Sequence, residues 1–412
     1  MANTGYTITQ VSSNNISVNM DDVLLRRDVF AYGNLWNWGS NVYGQLGDGT
    51  TNNRTAPNPL ETAPTGLSLP AFAFLVSSGI GSTAAILTDG SLWTWGYNRY
   101  GALGDGTTSD RSSPVTVAGG GTWKQVSMSK HPTVTYNNCS AIKSDGTLWA
   151  WGNNNAGQIG NGTTSNYSSP VSVVGGFTWI QVVNLGPSIM AIRNNNTVWG
   201  WGDNFYGSIG NGTTSNYSSP VSTSIGTGNT YIQISGSQDV VAGIQDNGTL
   251  WTWGYNNSGA LGDGTTSNRS SPVTVVGGFK WKQVSIGGTN AASLAPVSTA
   301  IKSDGTLWAW GTNDYGQIGN GTTSYYSSPV SVAGGGTNWK QVSAGLDSVY
   351  AIKSDGTFWA WGRNNLGQLS DATSSNRSSP VSLFWSIYST YSYKQISAAQ
   401  GCAFVQDGTD TG

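Results

Sequence analysis

The segment Asp304-Gly305-Thr306-Leu307-Trp308-Ala309-Trp310-Gly311 decides the fold, because its Trp-x-Trp-Gly ending occurs seven times in the 412 residues. The second tryptophans of the seven copies are Trp38, Trp95, Trp151, Trp201, Trp253, Trp310 and Trp361. Self-similarity at such a period is typical of repeat proteins in which each repeat is one supersecondary unit. The sequence therefore predicts a single repeat architecture.

Each repeat is predicted to contain four consecutive strands. In the copy around Trp310 these are Lys282–Ser285, Ala300–Ser303, Thr306–Trp310 and Ser328–Val332. Asp304-Gly305 lies between the second and third strands and predicts a two-residue type I′ hairpin turn. Both faces of the third strand are apolar, as expected for a strand buried between stacked blades.

The two ends of the chain carry complementary halves of one repeat. The last turn, Asp407-Gly408, has no Trp-x-Trp-Gly after it, and the first Trp-x-Trp-Gly has no turn before it. We therefore expect Tyr393–Ser397 and Gly401–Gln406 to pair with Asn34–Gly39, which would close the ring and remove its exposed edges. The prediction is an all-β protein: a closed seven-bladed β-propeller at 34–412, one blade completed by both chain ends, with a short N-terminal arm at 1–33.

Composition supports this fold class and argues against several functions. Glycine is abundant (58 residues), only 9% of the residues are charged, and Glu61 is the one glutamate, which is unusual for a helical protein. A net charge of −2 gives no field to hold nucleic acid. His131, Cys139 and Cys402 cannot supply an ordinary zinc site. The N-terminus lacks a Sec signal pattern and no apolar run is long enough to span a bilayer, so membrane insertion is not expected.

One copy of the repeat reads Ala351-Ile352-Lys353-Ser354-Asp355-Gly356-Thr357-Phe358-Trp359-Ala360-Trp361-Gly362, followed by Asn365-Leu366-Gly367-Gln368-Leu369. This pattern resembles the repeat of the regulator of chromosome condensation family, which forms seven-bladed β-propellers. Family members that are nucleotide exchange factors act on a small nuclear GTPase and bind chromatin. Their commonest repeat carries a histidine after the first strand. The corresponding stretch Ser343–Ser348 has none, which argues against exchange activity in this chain.

No catalytic residue, metal site or cofactor is predicted. A Ser-His-Asp triad would depend on His131, in a loop before proline. Paired carboxylates for glycoside cleavage stay open, but most aspartates lie in the repeated Asp-Gly turns or in the Gly-Asp-Gly loops of Asp48, Asp105 and Asp263. Those loops lack the alternating acidic ligands of an EF-hand-like calcium site.

The repeats differ most just after each Trp-Gly, where asparagines and aromatic residues recur. Aromatic rings stack on sugars and amides pair with hydroxyls, so these loops are predicted to bind a ligand. The alternative is that they are ordinary turn residues whose rings pack on the next blade. The predicted ligand-binding residues are Tyr43, Tyr97, Tyr100, Phe205, Tyr206, Tyr255, Tyr315, His131 and Tyr136.

Two further features suggest contact with a partner. The connections Met128–Ser140 and Ile286–Thr299 are longer than their counterpart Ala344–Tyr350, and enlarged loops on a rigid scaffold are frequent sites of function. The N-terminal arm carries Leu24, Leu25 and Phe30 and is interpreted as an attachment segment.

The favoured hypothesis is a non-enzymatic bacteriophage or environmental virion protein, such as a tail or fibre component. It would attach to other virion or assembly proteins through its arm and bind a host cell-surface glycan or protein. Its predicted location is the virion, or outside the cell after release. The alternative is an intracellular protein–protein interaction scaffold of the family's repeat type, in the cytoplasm.

Overall fold

The computed structural model describes residues 35–59, 73–79, 81–131, 134–224, 230–288, 296–383, 392–398 and 402–408. Its regular elements are 28 β-strands and one 3-10 turn, Val134–Tyr136. The strands form seven four-stranded antiparallel sheets. The predicted arm at 1–33, with Leu24, Leu25 and Phe30, lies outside the described residues.

Six of the sheets are blades made from four consecutive strands. Blade 1 contains β3 (Ala73–Ser78), β4 (Ser82–Leu87), β5 (Leu92–Gly96) and β6 (Arg111–Thr116). Blade 2 contains β7 (Trp123–Met128), β8 (Asn138–Lys143), β9 (Leu148–Gly152) and β10 (Tyr167–Ser172). Blade 3 contains β11 (Trp179–Asn184), β12 (Ser188–Arg193), β13 (Val198–Gly202) and β14 (Tyr217–Ser222). Blade 4 contains β15 (Tyr231–Ser237), β16 (Val240–Gln245), β17 (Leu250–Gly254) and β18 (Arg269–Thr274). Blade 5 contains β19 (Trp281–Gly287), β20 (Val297–Lys302), β21 (Leu307–Gly311) and β22 (Tyr326–Ser331). Blade 6 contains β23 (Trp339–Ala344), β24 (Ser348–Lys353), β25 (Phe358–Gly362) and β26 (Arg377–Ser382).

The seventh sheet is a composite of both chain ends. It contains β27 (Ser392–Ala398), β28 (Cys402–Gly408), β1 (Leu35–Gly39) and β2 (Arg54–Pro59). β28 pairs antiparallel with β1, from Leu35 opposite Gln406 to Gly39 opposite Cys402. The all-β propeller class is confirmed. The predicted count of seven blades needs a correction: six blades are continuous segments of chain, and the seventh sheet exists only because strands from the two ends meet.

Adjacent sheets are joined through the second tryptophan of each Trp-x-Trp-Gly motif. This indole is fully buried and its Nε1 donates a hydrogen bond to a backbone carbonyl in the preceding sheet. Trp151 Nε1 lies 2.9 Å from Ala102 O, and Trp201 Nε1 lies 2.9 Å from Gln158 O. Trp38 Nε1 donates to Gln368 O at 2.8 Å and so links the composite sheet to blade 6.

The Lys-Gln-Val-Ser motif joins the innermost strands. Gln125 Oε1 accepts from Val182 N at 2.9 Å, and Gln125 Nε2 donates to Val182 O at 3.2 Å in the next blade. Ser127 Oγ accepts from Asn184 N at 2.9 Å. These side chains satisfy backbone groups at the sheet edge, which explains why glutamine and serine recur in strands that are otherwise apolar.

The hairpin between the second and third strands is not the predicted type I′ turn. Gly90 has a φ of +82° but Asp89 does not have a positive φ, whereas type I′ requires both. Gly90 N donates to Leu87 O and Leu87 N donates to Ser91 O, which makes a three-residue loop with glycine in the left-handed position. Asp89 is favoured because its Oδ1 accepts from Ser91 N at 2.8 Å.

Deleting residues 392–412 should reduce both stability and cooperativity. The deletion removes β27 and β28, leaves one edge of β1 unpaired, and removes the bond from Ala398 N to Ser343 Oγ. We expect the thermal midpoint to fall by about 5 °C or more and the transition to broaden. Deleting only residues 409–412 is the control, since the strand pairing ends at Gly408. An unchanged midpoint in the longer deletion would reject this closure.

Replacing Ala372 by glycine should stabilise the protein. Ala372 is exposed and has a φ of +61°, at a position where other blades carry glycine, such as Gly106 with a φ of +83°. A left-handed non-glycine residue costs about 1 kcal/mol or more, so Ala372→Gly should raise the unfolding free energy by about that amount. Gly106→Ala is the matched reverse control, because the nearest atom to a Cβ there is 3.8 Å away. Denaturant unfolding of both variants should give changes of opposite sign.

Candidate binding surface at the loop face

Two kinds of connection lie at the same edge of each sheet because the four strands alternate in direction. They are the turn between the first and second strands (the 1–2 turn) and the loop between the third and fourth strands (the 3–4 loop). We call this edge the loop face. All the predicted ligand-binding residues lie in these connections.

The asparagine at the second position after each Trp-Gly holds the 3–4 loop together. Asn98 is fully buried, and its Nδ2 donates to Thr107 O at 3.2 Å and Ser109 O at 3.1 Å. Its Oδ1 accepts from Leu103 N at 2.9 Å. These amides are used inside the loop, so they are not presented to a sugar hydroxyl as the sequence suggested.

The aspartates of the Gly-Asp-Gly loops are also structural. Asp105 accepts hydrogen bonds from Thr107 and forms an ion pair of 2.8 Å with Arg111. Wherever the loop carries asparagine instead, the arginine position carries tyrosine, as in the Asn161 and Tyr167 pair. The Asp/Arg pairs are Asp48/Arg54, Asp105/Arg111, Asp263/Arg269 and Asp371/Arg377. The two residues vary together because a buried carboxylate needs a cation, whereas an amide does not.

Most of the predicted tyrosines pack across the interface between neighbouring sheets. The rings of Tyr43 and Tyr97 are 4.9 Å apart and meet edge to face. Tyr206 and Tyr255 make the same contact at 4.7 Å. In these pairs the tyrosine four residues after one Trp-Gly packs on the residue directly after the next Trp-Gly. The alternative interpretation, rings packing on the next blade, describes these pairs.

The remaining predicted tyrosines in the 3–4 loops contact arginines. The Arg363 guanidinium carbon lies 4.8 Å from the centre of the Tyr315 ring, again across a blade interface. The Arg99 guanidinium carbon lies 5.8 Å from the Tyr100 ring within one loop. Both distances are within the range of a cation–π contact.

Phe205 is the predicted site residue most open to solvent, with 70% of its surface exposed. It occupies the outermost position of its 3–4 loop, and the equivalent residue of the composite sheet, Val42, is 59% exposed. The Phe205 ring contacts Tyr206 at 4.8 Å. Phe205, Tyr206 and Tyr255 therefore form a continuous aromatic surface over blades 3 and 4.

The insertion Met128–Ser140 reaches beyond its own blade. His131 is buried and its ring meets Tyr136 at 4.6 Å. Lys130 O accepts from Ser237 Oγ at 3.3 Å, which ties the insertion to the 1–2 turn of blade 4. Residues 289–295 of the second insertion, Ile286–Thr299, lie outside the described residues.

Two aspartates that the sequence reasoning did not single out lie beside this insertion. Asp203 and Asp239 both act electrostatically on Tyr136, whose pKa is raised by burial and by these two charges. Asp239 has a φ of +67°, and its Oδ1 is buried without a hydrogen-bond partner among the described residues. The signal that could have revealed Asp239 is its position in a tight turn, where Asp tolerates a left-handed backbone.

Within the described residues, no group of three or more His, Cys, Asp or Glu side chains could hold a metal ion. The same part of the chain contains no helix that is long and apolar enough to cross a membrane.

The fold and the repeats define a β-propeller of one repeat family. Six segments match the sequence profile described as the Regulator of chromosome condensation (RCC1) repeat: 32–86, 89–135, 145–187, 195–244, 247–294 and 304–352. Together they cover well over half of the chain. The protein belongs to the RCC1 repeat family.

Relatives with this repeat have varied activities. The chain is 27% identical over 350 residues to the ultraviolet-B receptor UVR8 of Arabidopsis thaliana, covering 84% of this chain and 64% of that protein. It is 26% identical to the E3 ubiquitin-protein ligase HERC2 of Mus musculus, covering 83% of this chain but only 7% of the ligase. The structure of yeast RCC1 (Prp20) bound to Kap60 superposes with a TM-score of 0.78 at 14% identity, covering 99% of this chain and 97% of that one.

These comparisons correct two predictions. The predicted location, in a virion or outside the cell after release, is wrong, because the matched proteins are proteins of cellular organisms, such as UVR8 of Arabidopsis thaliana and yeast RCC1 (Prp20). A phage or environmental origin and virion or glycan partners find no support among the matches. Low charge and surface aromatic residues suggested an adhesin. Many of the aromatic side chains, however, pack between blades.

The Asp105/Arg111 pair gives a test of the loop chemistry. Burial alone would raise the pKa of Asp105, but hydrogen bonds from Thr107 and Arg111 outweigh it, and the pKa is lowered. A carboxylate with a lowered folded-state pKa stabilises the fold above its unfolded-state pKa, and this contribution disappears as the pH falls through the folded-state value.

Asp105→Asn should therefore lower the unfolding free energy at pH 7 by about 1–2 kcal/mol and reduce the loss of stability on acidification. Adding Arg111→Tyr should recover part of the loss, because it recreates the Asn161/Tyr167 combination of blade 2. Urea unfolding at pH 7 and pH 4 measures both effects. Equal stability of the single and double variants would contradict the coupling of the pair.

Proposed function

We propose that this chain is a non-enzymatic, intracellular protein-interaction scaffold that presents its loop face to a partner protein. The observation that carries the proposal is membership of the RCC1 repeat family. Relatives include the ultraviolet-B receptor UVR8 and a yeast protein crystallised with a protein partner, Kap60. A propeller suits this role because its rigid blades hold variable loops at fixed positions.

The chemistry of the loop face favours binding over catalysis. The repeated aspartates are engaged with threonine hydroxyls and arginines, as Asp105 is with Thr107 and Arg111. On blades 3 and 4 the Phe205 ring is exposed, and the half-buried rings of Tyr206 and Tyr255 hold each other across the blade interface. Pre-positioned aromatic side chains are the groups that contribute most to protein–protein affinity.

Ubiquitin ligation is the named activity of HERC2, of which the chain spans only 7%, and it forms no part of this proposal. Light reception by analogy with UVR8 is likewise a property of a relative at 27% identity. Recognition of a partner protein is the function that both the family and the loop face favour.

Affinity capture with chemical crosslinking tests this function. The tagged protein should recover a defined protein partner from extract of its source cells, with crosslinks to the loop face. Phe205→Ala should reduce recovery by about tenfold, since an exposed aromatic anchor is lost with little effect on the fold. Asn194→Ala, an exposed change at the opposite, hairpin-turn edge of blade 3, is the matched control.

The tagged protein, carrying a fluorescent label, should also be incubated with intact cells before and after periodate treatment of the cells. Periodate-sensitive binding to cell surfaces, without a protein partner in the extract, would overturn the scaffold function. Crosslinks confined to the hairpin-turn edge would overturn the assignment of the loop face.

A further inference from the structure

Blades 2, 3 and 4 bring six side chains together on the loop face. Tyr136 comes from the insertion of blade 2, Asp203, Phe205 and Tyr206 from the 3–4 loop of blade 3, and Asp239 and Tyr255 from the two connections of blade 4. We call this surface the Asp239 patch. Two hydrogen bonds from backbone N–H groups hold its parts: Phe205 N donates to the Asp203 side-chain Oδ1 at 2.9 Å, and Tyr255 N donates to the Asp239 backbone O at 3.0 Å.

The patch carries two carboxylates without a cation. Neither Asp203 nor Asp239 forms an ion pair among the described residues. Burial, with a further contribution from the Asp203 charge, raises the pKa of Asp239 to about 7. Lys130, the basic residue of the insertion, does not neutralise them: it also forms no ion pair there, and burial lowers its pKa. A partly buried carboxylate without a cation is stabilised when a cation approaches it.

Blade 6 contains the equivalent of the Asp239 position with a cation bound to it. Asp347 precedes the second strand of blade 6, as Asp239 does in blade 4, and its carbonyl accepts from Arg363 N at 2.9 Å. The Arg363 guanidinium also bonds the Asp347 carboxylate at 2.9 Å and lies over the Tyr315 ring of the preceding blade at 4.8 Å. Aspartate, arginine and tyrosine thus form a complete unit within the chain.

In blade 4 the arginine of that unit is replaced. Tyr255 occupies the position of Arg363, Tyr206 occupies the position of Tyr315, and Asp239 keeps the position of Asp347. The carboxylate and the tyrosine of the unit are present, but no cation pairs with them within the described part of the chain. Beside them lies Phe205, exposed over 70% of its surface.

We propose that the Asp239 patch docks a lysine or arginine side chain of a partner protein, with an adjacent apolar residue of the partner against Phe205. The cation binds between the Asp203 and Asp239 carboxylates and the rings of Tyr136, Tyr206 and Tyr255, in the role that Arg363 has in blade 6. Carboxylates and ring faces both attract a cation, and Phe205 supplies apolar area. This site rests on the proposed protein-binding function and names the chemistry of the partner.

A displayed library of random dodecapeptides, selected on the intact protein, tests the site without knowledge of the partner. Selected peptides should contain a lysine or arginine beside an aromatic or aliphatic residue. Synthetic labelled copies are then measured by fluorescence anisotropy. Asp239→Asn and Phe205→Ala should each weaken binding about tenfold or more, and raising the salt concentration should weaken it further.

Tyr255→Arg is the most specific variant, because it supplies the missing cation from within the chain, as in blade 6. It should block the peptide while keeping the thermal midpoint. Val42→Ala changes the equivalent exposed apolar position of the composite sheet, and Asp246→Asn removes an exposed charge from blade 4. Both controls should bind like the parent protein. Asparagine tolerates the left-handed backbone at 239, so Asp239→Asn should stay folded.

Two outcomes overturn the site. Peptides that bind but are indifferent to Asp239→Asn, Phe205→Ala and Tyr255→Arg would refute the patch while leaving the scaffold function standing. Failure to select any basic peptide would also refute the patch, and the crosslinking experiment above would still decide the function independently.

Discussion

One hydrogen bond organises the ring: the indole N–H of the second tryptophan in each Trp-x-Trp-Gly motif donates to a carbonyl of the preceding sheet. It requires very close approach, since a Cβ on Gly160 would lie 2.5 Å from Trp201 Nε1. The buried indole cannot leave its N–H unpaired without a free-energy cost. Tryptophan in one sheet and glycine in the loop of the sheet before it are therefore a single constraint at six of the interfaces. Trp38 makes the same hydrogen bond where the chain ends meet, but there the glycine position carries Ser370, with a φ of +55°.

The same constraint decides which side chains can bind a partner. Each 3–4 loop is held between the tryptophan and the outer strand of the next sheet, so its asparagine and aspartate are used internally. Gly106 N, for example, donates to Ser168 O of the following blade. What remains exposed is the outermost loop residue, such as Phe205, whereas Asp239 in the 1–2 turn is partly buried. Function can then vary at these positions while the scaffold between them stays constant.

Much of the fold, but less of the site, could be predicted from the sequence. The period of the Trp-x-Trp-Gly motif predicted the blades. The unmatched halves of one repeat at the two chain ends predicted the pairing of β28 with β1. The hairpin turn was assigned wrongly because Asp-Gly fits both a two-residue turn and a three-residue loop, and only the hydrogen bond between Leu87 and Ser91 distinguishes them. Tyr43 and Tyr206 were predicted as ligand-binding residues, yet whether a ring faces solvent or the next blade depends on the neighbour it meets.

The sequence by itself determined the repeat, the strand order within a blade and the need to join both ends, because these follow from local periodicity and turn chemistry. Only the tertiary structure decided that Asp203 and Asp239, 36 positions apart in the chain, act on the same Tyr136 hydroxyl. It also decided that Asp347 has a cation in Arg363, whereas Asp239 forms no ion pair with any residue that the structure describes. The physical reason is that charge pairing depends on distance in space, and in a ring of blades that distance is set by contacts between repeats.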